Sequence, residues 1–206
     1  MFCERAIFSA LISQRLSGFM VDSGWFQSYE TKTPVDVQGQ PIPWFTYSAI
    51  DFLGDRLNSQ MQILEYGSGN STIYFSRKTA FVDALEHNPE WYEYISAKVN
   101  MNSKIQLIPA ADIKNYAAFP ASLGKKYDIV LVDAIDRNEC MFQSVNLLTT
   151  DGVVILDDSE RPEYLMGISF LKNNGFRKID FWGFAPIVIH KKCTSFFYKS
   201  QNCLGI

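Results

Sequence analysis

The chain has 206 residues, 47% hydrophobic and 20% charged, a balance that fits one ordinary globular domain or two small ones and excludes a disordered or fibrous chain. Its formal charge is −3 and no basic run is longer than two residues, as at Lys125-Lys126 and Lys191-Lys192, which counts against affinity gained by neutralising nucleic-acid phosphates. Four cysteines and two histidines lie scattered without ligand spacing, so no structural zinc site is expected and the thiols read as those of a reducing, cytoplasmic setting.

At the N-terminus, Phe2, Ile7, Phe8, Leu11, Ile12, Leu16 and Phe19 recur at helical spacing. That predicts an amphipathic helix packed on the domain or on a partner, with a membrane-surface role as the lesser alternative. The apolar stretch from Ala6 to Ile12 is too short to span a bilayer and lacks the flanks of a signal peptide, so no membrane span is expected. Residues 21–43 are rich in Gly, Pro and polar groups and read as a long irregular segment of the kind that forms a lid or binding loop. A helix over 44–57 follows. The expected division is a helical lid segment over 1–59, packed on a main domain over 60–206.

From Gln60 onward, short apolar runs alternate with helical patterns, which predicts βαβ units and a parallel sheet. Strands are expected over 61–66, 80–86, 105–110, 127–133 and 153–156. The run Asp128-Ile-Val-Leu-Val-Asp133 reads as a strand buried on both faces. Asn88-Pro89 opens a helix toward residue 99 as an N-cap followed by proline. A second helix over 162–173 carries Tyr164, Leu165, Ile168 and Leu171 on one face and stops at Gly175. Strands over 177–182 and 194–198, joined by a loop holding Gly183 and Pro186, suggest an antiparallel pair.

The first strand ends in Glu65-Tyr66-Gly67-Ser68-Gly69-Asn70-Ser71-Thr72, and a helical stretch follows. Glycines at such a turn let the backbone turn sharply and approach a ligand, and the helix start offers free N–H groups that Ser71 and Thr72 can cap. A plain tight turn is the alternative for G-x-G alone. Two features fit a nucleoside site: the turn follows the first strand of an α/β run, and Glu86 ends the second strand nineteen residues after Gly67, where a carboxylate accepts ribose hydroxyls. Charge chooses the cofactor. A pyrophosphate favours a third glycine, where this chain has Thr72, and is repelled by Glu65. S-adenosylmethionine brings an ammonium, a sulfonium, a carboxylate and a ribose, a set that suits these acids and amides better.

On Glu65-x-Gly67-x-Gly69-x-Ser71-Thr72, Glu86 and Val132-Asp133, the stretch 61–159 resembles the class I S-adenosylmethionine-dependent methyltransferases. The Pro43-Trp44-Phe45-Thr46-Tyr47 segment is similar to a bacterial small-molecule, O-methyltransferase-like subgroup. The resemblance implies an α/β fold: a Rossmann-like, doubly wound, seven-stranded sheet, mostly parallel with an antiparallel C-terminal strand pair, plus N-terminal helices. It implies cofactor contacts from Glu65, Gly67 and Gly69 at the methionine moiety, from Tyr66, Ser68, Ser71 and Thr72 along the same turn, from Glu86 at the ribose, and from His87 beside the adenosine. Ala111 and Asp112 match the adenine edge, and Asp133 sits where the fourth strand meets the ligand.

The Asn/Asp-Pro-Pro-aromatic motif of methyltransferases that act on DNA bases and protein amides is replaced by Asp133-Ala134-Ile135-Asp136. With the acidic charge, that points to a small or medium-sized acceptor. For a hydroxyl acceptor, Asp133 is the first candidate base, with Asp158 and His190 behind it. Asp157-Asp158-Ser159 ends the fifth strand, and metal-dependent O-methyltransferases use acids at similar positions to hold Mg²⁺. The alternative is an acidic turn capping the next helix, and no metal is assigned. Aromatic walls for the acceptor are expected from Trp44, Tyr47 and Trp182, in company with Trp25, Phe26, Phe45 and Phe184. Two rival readings stay open: a nicotinamide-dependent oxidoreductase, and a non-catalytic adenosyl-binding module with a protein partner. A homodimer is compatible with the aromatic, amphipathic N-terminus.

Overall fold

Strands covered on both faces carry apolar residues at consecutive positions, and the central strands of this chain are built that way. The computed structural model describes residues 2–109 and 113–206. Helices α1 (Phe2–Ser13), α2 (Phe19–Asp22), α3 (Trp25–Thr31) and α4 (Tyr47–Gly54) come first. Strands and helices then alternate: β1 (Gln62–Tyr66), α5 (Asn70–Ser76), β2 (Phe81–Glu86), α6 (Pro89–Ser96), β3 (Ser103–Leu107), α7 (Ile113–Tyr116) and β4 (Tyr127–Val132). Helix α8 (Arg137–Ser144), β5 (Leu148–Leu156), α9 (Leu165–Asn173) and the hairpin β6 (Arg177–Ala185) and β7 (Val188–Tyr198) complete the chain.

The sheet has seven strands in the order β3-β2-β1-β4-β5-β7-β6. Pairing is parallel from β3 through β5, and β7 lies antiparallel to both of its neighbours. Alternation divides the core. Ile63, Ile129, Leu131, Val153, Ile155 and Phe196 face α4, α5 and Trp25, while Leu64, Tyr66, Val130, Val132, Val154, Leu156 and Phe197 face α8 and α9. Strand order reverses between β1 and β4, which opens a crevice at their carboxyl ends, where ligands bind in sheets of this kind.

Several expectations are corrected. Strand β3 begins at Ser103 and ends at Leu107, short of the predicted 110. The hairpin strands run on until only Pro186 and Ile187 turn between them, and Gly183 is a strand residue paired with Lys192. Helix α8 has no counterpart in the predicted elements. The segment 21–43 is not irregular throughout. Gly24, with a φ of 75°, lets α3 start, Trp25 anchors that helix in the core, and the Ser28 hydroxyl donates to Val35 O at 2.7 Å and accepts from Val35 N at 3.0 Å. On α9, Ile168 and Leu171 are buried but Leu165 is exposed, because Gly167 is the residue laid against Met141 and Asn138. The apolar stripe of α1 does not pack on the domain: Ile7, Phe8, Leu11, Ile12 and Leu16 are all exposed. No helix among the described residues is long and apolar enough to cross a membrane.

Candidate active site

At the crevice the chain leaves β1 through Gly67, whose φ of 103° belongs to glycine. The Gly67 N–H donates to Leu85 O at 3.0 Å and to the Tyr116 hydroxyl at 2.9 Å. A Cβ here would lie 2.5 Å from Asp133 O. Gly67→Ala is therefore expected to destabilise the protein by about 2 kcal/mol or more, read by urea unfolding, since backbone strain of this kind alone costs about 1–3 kcal/mol. An unchanged midpoint would show that β1 and β4 separate more easily than their geometry implies.

Thr72 stands where a third glycine would, and its side chain ties the turn together. Its hydroxyl accepts the Gly69 N–H at 3.0 Å and donates to Glu65 Oε2 at 2.5 Å, while the Ser71 hydroxyl donates to Glu65 Oε1. Glu65 is 1% exposed, and its carboxyl is pushed up to about 8. Burial dominates, the Ser71 and Thr72 hydroxyls pull back, and Asp133 and Glu86 add repulsion. At the end of β2, Glu86 Oε1 accepts the N–H groups of His87 and Asn88, both at 2.9 Å, and Oε2 accepts the Ser68 hydroxyl at 2.8 Å. The Asn88 side chain caps α6. That capping holds Trp91 where its indole N–H donates to Ser68 O at 2.7 Å. A cavity of about 200 Å³ results, with Ser68, Gly69, Ser71, Trp91, Tyr94 and Asp133 around it and Thr33, Pro34 and Trp44 from the N-terminal segment across it.

A second cavity, of about 280 Å³, adjoins the first and shares Trp44 and Asp133 with it. Strand parity explains its chemistry. Glu65, Asp133 and Asp157 continue the alternation of Ile63, Leu131 and Ile155, so they share the α4 side of the sheet at three neighbouring strand ends. Lys192 and Thr194 have the same parity as Phe196 on β7. Asp158, at a φ of 52°, is turned back toward them. Lys192 Nζ lies 2.6 Å from Asp157 Oδ2 and 3.0 Å from Asp158 Oδ1, and it donates to Trp44 O at 2.9 Å. Thr194 donates to Asp157 Oδ1 at 2.8 Å. Arg137 donates to Asp133 Oδ1 at 2.8 Å and to Asp157 O at 2.6 Å and lies 3.4 Å from Asp158, while Arg161 lies 2.8 Å from Asp158.

Burial opposes the charges in this network, but the pairings outweigh it for three of them: Lys192 is held above the usual lysine range by Asp157 and Asp158, Arg137 above its own by Asp133 and Asp157, and Asp158 below the usual carboxylate range by Lys192 and Arg137. Asp157, the most deeply buried of the three acids, is pushed upward by that burial. Asp133 Oδ2 receives no hydrogen bond among the described residues. Two indoles fasten the N-terminal segment over this side: Trp44 Nε1 donates to Pro186 O at 2.6 Å and Trp25 Nε1 to Val188 O at 2.9 Å.

Of the residues singled out in the sequence, Glu65, Gly67, Ser68, Gly69, Ser71, Thr72, Glu86 and Asp133 surround the glycine turn, and Trp44 lines both cavities. Tyr66 faces the other way: its ring is fully buried and its hydroxyl donates to Ala117 O at 2.8 Å, so only its backbone reaches the crevice. Tyr47 lines neither cavity. It is buried in the core and packs edge-on to Phe19, with its hydroxyl pushed up to about 12 by burial. Trp182 pairs with Cys193 across the hairpin, one step out of phase with Lys192, and its ring lies on the opposite face under Lys191. His87 stands edge-on to Tyr116, with Nδ1 at 3.2 Å from Glu86 Oε1. Ala111 and Asp112 lie outside the described residues. His190 lines the second cavity.

The sequence reading missed Trp91 and Tyr94, which a spacing of three on a capped helix puts side by side, and Arg137, which is four residues from Asp133. It also missed Lys192, whose signal was its parity with Phe196.

Comparison with known proteins gives the fold a name. No protein-family profile matches the chain, and no curated protein sequence matches it. Among solved structures, a protein of Klebsiella pneumoniae described as an O-methyltransferase is 16% identical, with 94% of this chain and 96% of that one aligned at a TM-score of 0.59. An rRNA methylase of Streptococcus thermophilus is 14% identical over 73% of this chain and 93% of its own, at 0.57. A precorrin-6y C5,15-methyltransferase of Geobacter metallireducens is 17% identical over 72% and 86%, at 0.56. The chain has the Rossmann-like fold of these methyltransferases.

Proposed function

We propose that the chain is an S-adenosylmethionine-dependent methyltransferase acting on a hydroxyl of a small or medium-sized acceptor. Glu65 carries the reading. A carboxyl group buried at the glycine turn, with acids as its charged neighbours, gains a partner from a ligand that brings a cation, whereas a pyrophosphate offers it none. That supports an ammonium-bearing cofactor over a nicotinamide dinucleotide, and the shared fold supports the same class. The cofactor, when bound, supplies a methyl group made electrophilic by its sulfonium.

The chain's own residues divide the remaining work. Glu65 holds the ammonium group, the backbone of Gly67 to Gly69 allows close approach, and Glu86 Oε2 keeps a lone pair for a ribose hydroxyl. Asp133 stands between the two cavities with Oδ2 unengaged, which supports it as the acceptor of the hydroxyl proton. Asp158 faces three cations and is a weak base, so that role does not pass to it. Trp44 walls both cavities and limits water there, and holding the acceptor in line is itself a large part of the rate.

Mg²⁺ does not fit this donor set. A divalent ion requires oxygens at close range, and those of Asp157 and Asp158 already hold the buried Lys192 at 2.6 and 3.0 Å. A small acceptor is supported by the modest second cavity and by the absence of a long basic run.

Calorimetric titration with S-adenosylhomocysteine, with NADH in parallel, tests the reading. Micromolar binding of the first and none of the second is expected. Binding of NADH alone would turn the assignment to an oxidoreductase, and binding of neither would remove the cofactor from the proposal.

A further inference from the structure

Asp133, Asp157 and Asp158 each bring a carboxylate oxygen to within 4.8 Å of the other two. Such a cluster ordinarily attracts a hard divalent ion. Here protein cations fill the space. Lys192 is buried on β7, and its ammonium group has three donors, each facing an oxygen: Asp157 Oδ2, Asp158 Oδ1 and Trp44 O, at 2.6, 3.0 and 2.9 Å. Arg137 pairs with Asp133, the third acid, and Arg161 adds a further partner to Asp158. A charge this deep is costly unless it is fully matched. The matching is therefore specific to the cluster.

We propose that Lys192 is the resident cation of this cluster. Its ammonium takes the electrostatic place of a divalent ion, fixes the Asp157 and Asp158 carboxylates, and, through the Trp44 carbonyl, holds the N-terminal wall of the second cavity. Methyl transfer at this site accordingly runs without a metal. That last consequence rests on the function proposed above, but the place of the cation does not. Lys192 is a positioning residue, since all of its donors are engaged by protein.

Lys192→Ala leaves three oxygens converging on one vacant point. The test is Mn²⁺ binding, followed by electron paramagnetic resonance and by thermal melting, in wild type and variant. The variant is expected to bind one Mn²⁺ about tenfold more tightly than wild type, or better, because a positive charge has left the site. Mn²⁺ should raise the melting temperature of the variant only.

Equal binding by the two proteins, or no gain in the variant, overturns the proposal. If the variant fails to fold in metal-free buffer, refolding is attempted with Mn²⁺ and with NaCl at equal ionic strength. Recovery with Mn²⁺ alone supports the assignment, and no recovery with Mn²⁺ overturns it. Titrating the same samples with S-adenosylhomocysteine separates this result from the functional one: cofactor binding without a gain in Mn²⁺ affinity refutes only the role of Lys192, and the reverse refutes only the cofactor.

Discussion

Glu65→Gln is expected to weaken S-adenosylhomocysteine binding by about 10- to 100-fold, the loss of a charge-assisted hydrogen bond, and at the same time to make the free protein more stable. Both effects have one cause. Burial raises the Glu65 carboxyl from its ordinary 4.5 to about 8, so the folded chain keeps a proton that the unfolded chain releases. For a group raised in this way, stability is fully present below 4.5 and is lost as pH rises toward 8. At pH 7 the wild type forgoes about 3 kcal/mol relative to a neutral isostere, at 1.36 kcal/mol per pH unit. Urea unfolding should show the two proteins converging at pH 4.5 and separating toward pH 8. Cofactor affinity runs the opposite way. An ammonium needs the ionised carboxylate, so wild-type affinity should rise about tenfold per unit from pH 6 to 8, whereas the variant should be flat. A wild-type affinity independent of pH in that range would show that the ammonium lies elsewhere.

Asp133→Asn separates chemistry from binding. The amide keeps an oxygen for Arg137 Nη2, which now sits 2.8 Å from Oδ1, so the turn and its ion network should survive. It cannot take a proton. Turnover should fall by about 10²- to 10⁴-fold, the range for loss of a general base, with S-adenosylhomocysteine affinity little changed. Retained turnover would move the proton to another group, and a chain without turnover in either form would favour a binding module over an enzyme.

The succession of strands along the chain and the glycine turn were legible because both are local. The apolar run of β4 announces two buried faces, and Glu65, Gly67, Gly69 and Thr72 act within one strand and one turn of helix. What escaped depends on distance or on phase. Tyr66 and Trp182 are each one position away from the site-facing side, and alternation reveals this only after neighbouring strands fix which face is which. Tyr47 begins α4 with its ring turned into the core, a matter of where the helix lies on the sheet. Lys192 meets Asp157 across 35 positions of sequence, and no spacing rule reaches that far. Trp44 was recognisable as an aromatic near the site, but its role as a wall shared by two cavities belongs to the way the N-terminal segment crosses the sheet.

That crossing has a consequence for how the molecule comes together. Trp25 and Trp44 are tied to carbonyls 163 and 142 residues further along the chain. Loops this long close at a high entropic cost before any contact offsets it, so the two indoles can dock only on a hairpin that already exists. The floor of the first cavity, in contrast, draws Glu65 to Tyr94 from one βαβα stretch. Assembly is thus staged: the cradle forms from near neighbours, and the wall arrives when the last strand has been inserted between β5 and β6. Opening is expected to retrace that sequence, with the tryptophan clasp releasing before the cradle.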